Sequence, residues 1–269
     1  MIKFMGTVCR IIFISTLTIF LGNSVSAQSR QKDINLVFIG NSITYGSQLT
    51  YPEAEAPPVI ATKYMMQKNR IGRVSFANQG HSGYTTVDFL PSTSKTFSQV
   101  EAAAKGFANK QALLIFSIDL GTNDSAITGT NGAPVSPEHY GENLKKIIDA
   151  LLKEFPGCVI VIQRPTWYSA NTYNGAKYLA EGLNRLQSYF PVISHLVAAY
   201  AASRPKQVFK GDTRAFGYFK AHYLTDLTPE QGHQGTFYLH PNKKGAAALG
   251  TFWGESIFRT VRKLRQQEQ

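Results

Sequence analysis

The sequence predicts an α/β protein built on a parallel sheet with helices on both faces. Two observations carry this. Four short apolar stretches, residues 34–39, 74–78, 112–119 and 158–163, are rich in Val, Ile, Leu or Phe and give way to polar or glycine-bearing residues. Longer segments with helical spacing lie between and after them, and alternating strands and helices stack as covered parallel sheets.

Residues 34–39 are apolar on nearly every position, as a strand buried on both faces requires. Residues 58–68 suit a helix with Val59 and Met66 on one face, and residues 97–107 are Ala-rich and helical. The clearest helix is 137–155. There Tyr140, Leu144, Ile147, Ile148, Leu151, Leu152 and Phe155 recur at three- and four-residue steps, behind an N-cap at Ser136 and a first-turn Pro137. Residues 174–190 repeat the pattern, with Leu183, Leu186 and Tyr189 on one face, and a last helix spans about 244–263. The stretch 209–236 is the least periodic and is long for a connection, a length that loops in compact domains reach when they carry function.

The chain has 269 residues, enough for a full core without metal or disulfide staples. With 43% hydrophobic and 17% charged residues it reads as globular, not disordered. Its N-terminus reads as a targeting segment. Lys3 and Arg10 precede an apolar run, residues 11–21, that is short of the ~20 residues a membrane span needs, and Val25-Ser26-Ala27 offers small residues for cleavage. This predicts a secretory signal peptide over 1–27, a single domain over 28–269, and an exported protein, periplasmic or secreted; the alternative is an uncleaved anchor. Cys9 lies before the end of the apolar segment, which speaks against a lipoprotein, and no later run is long enough to span a bilayer. Without Cys9 the one cysteine is Cys158, which cannot form an internal disulfide and reads as a core residue; export without disulfides suggests a bacterial route.

The net charge is +11, about +9 once Lys3 and Arg10 leave. That favours anionic partners such as acidic glycans. The basic residues are scattered, however, with no dense run interleaved with aromatics, so the pattern excludes nucleic-acid binding and reads as a basic solvated surface.

Ligands of open α/β sheets bind beyond the carboxyl ends of the strands. Gly40-Asn41-Ser42 follows the first stretch, 78–86 the second, Gly121-Thr122-Asn123-Asp124 the third, and Arg164-Pro165-Thr166-Trp167-Tyr168 the fourth; His240-Pro241-Asn242 precedes the last helix. A serine nucleophile needs a base and donors for the developing oxyanion. Ser42 in a strand-to-helix turn can serve as nucleophile, His240 as base, and the Gly83 N–H and Asn123 amide as donors. Ser42 also suits a helix cap and Asn123 a turn, so no single segment decides the matter. His81, His139, His195, His222 and His233 show no metal-ligand spacing, and neither metal nor cofactor is expected. Asp124 reads as a loop brace. Arg164, Trp167 and Tyr168 are candidates for the substrate pocket, where the two rings could stack on a sugar; loop packing is the alternative.

These segments resemble the four blocks of the SGNH hydrolases, or GDSL-type esterases, across residues 34–253. Gly40-Asn41-Ser42-Ile43 is similar to the first block, with Asn41 in place of the usual Asp. Residues 78–83, with Thr85 and Thr86 after them, are similar to the second, Gly121-Thr122-Asn123-Asp124 to the third, and His240-Pro241-Asn242 to the last. The resemblance implies a flavodoxin-like three-layer α/β/α sandwich. It implies Ser42 as nucleophile, His240 as base, and Gly83, Asn123 and the Ser42 N–H as the oxyanion hole. The family's acid, three residues before the histidine, is missing: Phe237 stands there and accepts no hydrogen bond. Either a backbone carbonyl orients His240 and the site is a Ser–His dyad, or an acid arrives from elsewhere, Glu230 and Asp226 being the nearest upstream carboxylates. The expected activity is hydrolysis of a short acyl group, acetyl above all, from a carbohydrate. A lipase, lysophospholipase or thioesterase of the same fold, and an inactive glycan-binding module, are the competing readings.

Overall fold

The structure, a computed structural model, describes residues 1–2, 31–92 and 95–266. The signal-peptide expectation falls on residues outside these. By its contacts the chain divides into Met1–Arg30 and Gln31–Gln269, and the fold belongs to the second unit. In chain order that unit contains β1 (Lys32–Gly40), α1 (Ser42–Tyr45), α2 (Pro52–Glu55), α3 (Pro57–Met66), β2 (Ile71–Gly80), a 3-10 turn (Val87–Phe89) and α4 (Lys95–Gly106). Then come β3 (Leu113–Asp119), α5 (Pro137–Glu154), β4 (Val159–Ile162), α6 (Leu179–Ser203) and β5 (Val208–Lys210). The chain closes with α7 (Ala215–Asp226), β6 (Leu227–Gly232), β7 (Gly235–Pro241) and α8 (Lys243–Gln266).

Five parallel strands form the central sheet in the order β2-β1-β3-β4-β5, and β6 and β7 form a separate antiparallel hairpin. Side chains alternate across a strand, so β1 feeds two cores. Ile34, Leu36 and Phe38 share one with Met65 of α3, Phe219 of α7 and Leu249, Trp253, Ile257 and Val261 of α8. Val37 and Ile39 share the other with Val100 of α4, Ile147 and Leu151 of α5, and Leu186 and Ile193 of α6. The result is the expected three-layer α/β/α sandwich with the flavodoxin-like strand order. The order reverses between β1 and β3, and such a switch point opens a crevice at the carboxyl ends of the strands. Ser42 follows β1 there, and Asn123 follows β3.

Four differences from the sequence reading have physical causes. The edge strand β5 has three residues, too few for a periodic signal. Helix α6 begins at Leu179, not 174, and runs past Phe190 to Ser203 with Pro191 inside it; burial of Ile193 and Tyr200 outweighs the one donor that proline removes. The stretch 209–236 is no loop: it holds the end of β5, α7 and the strand β6. On α3 it is Met65 that enters the core, while Met66 is 59% exposed. The cap of α5 is as expected, with Ser136 Oγ accepting from His139 N at 3.2 Å. No helix among the described residues is long and apolar enough to cross a membrane.

Helix α1 lies directly over Gly80. A Cβ there would overlap the Tyr45 backbone nitrogen and sit 2.7 Å from the Thr44 carbonyl carbon. Gly80→Ala therefore displaces the turn that carries Ser42. Overpacking of this kind costs about 1–3 kcal/mol, so a thermal melt should fall by roughly 3–10 °C.

Candidate active site

Strand β1 ends on Gly40, and Asn41 caps α1: its Oδ1 accepts from Ile43 N at 2.9 Å. The helix is one turn long and closes on Gly46, whose φ of +94° is left-handed. Asn41 thus supplies the acceptor that an Asp would supply, and the departure at this position leaves the cap intact. The turn holds Ser42 at the surface of the crevice, 8% exposed.

His240 Nε2 lies 2.9 Å from Ser42 Oγ. On the other side of the ring, Nδ1 lies 2.9 Å from Glu230 Oε1 and 3.0 Å from Oε2. A carboxylate only accepts, so Nδ1 carries the proton and Nε2 presents its lone pair to the serine. The side chains of His240 and Glu230 are 10% and 12% exposed, so water screens the pair weakly. The two residues meet through an irregularity in the hairpin. Leu227 pairs with Pro241 and Pro229 with Tyr238, so β7 carries one residue more than β6 across that interval, at Leu239–His240. A β-bulge re-aims the side chains beside it and frees a backbone N–H from the ladder. Glu230 accepts that N–H as well, from His240 N at 3.3 Å. Phe237, opposite Glu230 in the hairpin, is 1% exposed and belongs to the core.

The second and third loops are tied to the first and to each other. His81 N donates to Gly40 O at 2.9 Å, and the Ser47 and Ser82 hydroxyls are 2.9 Å apart. Gly83 has a φ of +81°, with open space where a Cβ would be. Asn123 Nδ2 donates to Tyr84 O at 2.8 Å, and its Oδ1 accepts from the Tyr178 hydroxyl at 2.7 Å. These partners set the amide's orientation, since a carbonyl cannot donate, and leave one N–H of Nδ2 for a ligand. Burial pushes the Tyr178 hydroxyl far above its ordinary pKa, so it remains a donor. Asp124 braces the loop as expected. It accepts from Thr86 N at 2.9 Å and from the Thr86 hydroxyl, which also accepts from Asn143 Nδ2 at 3.0 Å.

Other sequence candidates go elsewhere. Asp226 is fully buried and accepts from Tyr218 and Thr225 hydroxyls at 2.6 Å and from Lys244 at 2.7 Å, away from His240. Tyr168 is fully buried, with its hydroxyl 2.8 Å from Ser125 Oγ; it is a core residue, not pocket lining. Arg164 donates to Thr213 O at 3.2 Å and stacks on Phe190, 4.5 Å from the ring centre, a packing role. Trp167 is 9% exposed and lies against Tyr223. No three His, Cys, Asp or Glu side chains cluster in a way that suits a metal among the described residues. The sequence reading missed three residues: Tyr178; Gln48, which donates to Glu230 Oε2 at 3.2 Å; and Asp119. Gln48 and Tyr178 lie outside any motif and only the fold brings them to the site, while Asp119 stands just before the Gly121–Asp124 block.

Residues 38–248 match the GDSL-like lipase/acylhydrolase family. The chain belongs to that family. It is a carboxylic-ester hydrolase with the SGNH hydrolase fold. Solved structures agree on the fold. A lipase/acylhydrolase from Enterococcus faecalis is 17% identical, with a TM-score of 0.55 over 85% of this chain and 96% of its own. A carbohydrate acetylesterase from Sinorhizobium meliloti is 14% identical, with a TM-score of 0.53 over 84% and 98%. An aryl esterase of M. smegmatis is 12% identical, with a TM-score of 0.55 over 84% and 99%. No curated protein sequence matches the chain.

Two buried carboxyls stand behind the esterase's site. Asp119 ends β3, in register with Gly40, with both oxygens out of water; burial pushes it up to about 7 against the opposing pull of the Thr44 hydroxyl. Burial raises Asp124 to about 6, and its bonds with Thr86 oppose the rise. Both are raised above their unfolded values, so the folded state binds more protons than the unfolded one between about pH 4 and 7. Their contribution to stability is fully present below that window and falls as pH rises through it. Asp119→Asn should make the fall in melting temperature between about pH 4 and 7 shallower; an unchanged slope contradicts the assignment.

Proposed function

We propose that Ser42, His240 and Glu230 act as a catalytic triad that hydrolyses short acyl esters, acetyl above all, on a carbohydrate. The observation that carries the reading is the unbroken hydrogen-bonded line from Ser42 Oγ through both nitrogens of His240 to Glu230. It favours a triad over the dyad alternative, with an acid that comes from the partner strand of the hairpin. It also argues against the inactive binding module, because each group needed for acyl transfer has its partner.

As His240 Nε2 takes its proton, Ser42 Oγ attacks the ester carbonyl. The Ser42 and Gly83 N–H groups and the remaining Asn123 N–H hold the oxyanion. Glu230 stabilises the imidazolium as it forms. The intermediate collapses as His240 gives the proton to the leaving sugar oxygen, which leaves an acyl-Ser42 ester. Water, deprotonated by His240, then attacks that ester, releasing the carboxylic acid and the free serine. Gln48 and Tyr178 are positioning residues, the first on Glu230 and the second on the Asn123 amide. Two observations favour a carbohydrate. The same fold serves the carbohydrate acetylesterase named above, and Tyr45, at the end of the nucleophile's helix, is 51% exposed and offers a ring for stacking on a sugar. In this reading residues 1–27 are removed on export, and residues 28–269 work in the periplasm or outside the cell.

Acetate release from acetylated polysaccharides, with p-nitrophenyl esters of increasing chain length beside them, tests the proposal. Ser42→Ala should abolish turnover, and a marked preference for long acyl chains would instead identify a lipase. Glu230→Ala should lower kcat by about 10³–10⁴, whereas a dyad would lose far less. Tyr178→Phe should lower kcat by about tenfold with KM little changed, since the amide it orients acts on the transition state. A matching rise in KM would assign Tyr178 to substrate binding.

A further inference from the structure

Among the described residues strand β5 pairs only with β4, so its other side is an open sheet edge. Along that edge, between α6 and the last turns of α8, runs a groove of about 470 Å³. Val208 and Phe209 contribute apolar surface. Lys206 and Lys210 stand on one wall, Arg259 and Lys263 on the other, and no carboxylate lines it. Arg259 and Lys263 are one helical turn apart and share a side of α8. The Lys263 ammonium lies 5.5 Å from the Phe209 ring centre, which holds it at the groove.

Several cations elsewhere on the surface have acids beside them. Arg214 pairs with Asp212 and Glu255, Lys243 with Glu55, and Lys244 with Asp226. Lys210, Arg259 and Lys263 pair with no carboxylate among the described residues. Two ordinary roles cover part of this. A lysine on an edge strand discourages pairing with another chain, and cations near a helix C-terminus meet the negative end of its dipole. Neither accounts for Arg259, two turns before the end of α8, or for a groove that draws cations and no acid from separate elements.

We propose that this groove binds a segment of acidic polysaccharide, a polyuronate, and so tethers the enzyme to the polymer whose esters it cleaves. The cations of both walls meet successive carboxylates, and Phe209 faces the flat side of a sugar ring. A recessed groove with a single ring suits a polysaccharide better than a lipid surface, which calls for protruding apolar groups, or a nucleic acid, which calls for several stacking rings. The inference rests on the carbohydrate reading above and extends it to the charge of the polymer. Holding one stretch of polymer raises the local concentration of esters at Ser42 without new contacts to the reacting group.

Titration calorimetry with unesterified polygalacturonate, and with dextran as the neutral control, tests the inference on the full chain. The wild type should bind polygalacturonate and not dextran, and salt at about 1 M, where screening reaches ~3 Å, should remove the binding. The Lys210→Ala/Arg259→Ala/Lys263→Ala variant should bind about tenfold or more weakly, with p-nitrophenyl acetate turnover unchanged. Arg259→Glu, a single exposed change, should weaken binding more than Arg259→Gln, which guards against loss through misfolding. Equal binding by wild type and the triple variant overturns the proposal. So does tighter binding of phosphatidylglycerol vesicles or a DNA oligonucleotide through the same three residues. The two readings fail separately. If Ser42→Ala still cleaves esters while polygalacturonate binds as described, the triad is wrong and the groove stands. If the esterase assays hold and the polymer is not bound, the groove inference alone falls.

Discussion

The rest of this site depends on one hold, a hydrogen bond that keeps one nitrogen of His240 as a donor while the other faces Ser42. Here it comes from Glu230, 2.9 Å from His240 Nδ1. The family's usual place for the acid is filled by Phe237, which is buried in the core. An aromatic residue there anchors the hairpin, and its neighbour across the ladder, Glu230, has the reach to meet the ring. The bulge at Leu239–His240 is what makes the exchange work. In regular pairing His240 would face away from the side shared by Phe237 and Glu230. One extra residue in β7 turns the ring toward the carboxylate and frees the N–H that Glu230 also accepts.

The Asn123 side of the site is held by a separate polar network. Asn123 is tied to Tyr84 and Tyr178, Asp124 to Thr86, and Thr86 to Asn143. These bonds link the loops after β2 and β3 to helix α5, which packs on the sheet below. Buried carboxyls are costly when ionised. Burying Asp119 and Asp124 behind these loops therefore costs stability toward neutral pH.

Charge shows how differently sequence and fold can be read. Along the chain the lysines and arginines look scattered, a pattern that suggests only a basic solvated surface. In the fold, residues some fifty positions apart line one groove: Lys206 and Lys210 from the edge of the sheet, Arg259 and Lys263 from the last helix. Cations such as Arg214, Lys243 and Lys244 are neutralised locally by acids. The groove concentrates an excess that the composition reports only as a sum.

Much of this protein was legible in the chain. The runs that become β1, β3 and β4, the apolar spacing of α5, and the four blocks that place Ser42, Gly83, Asn123 and His240 at strand ends are local patterns. Periodicity and turn chemistry reveal such patterns without knowledge of the rest of the molecule. What stayed hidden was non-local. The three-residue strand β5 and the β6–β7 hairpin have no period long enough to stand out, and Tyr168 as a core residue could not be told from a pocket residue by its position after a strand. The sequence by itself determined the sheet, the turn that carries Ser42 and the histidine that meets it. Only the tertiary structure decided which acid stands behind His240, which tyrosine orients Asn123, and where the groove's cations gather. Those contacts join residues from separate elements, and their geometry follows from register and packing, not from spacing along the chain.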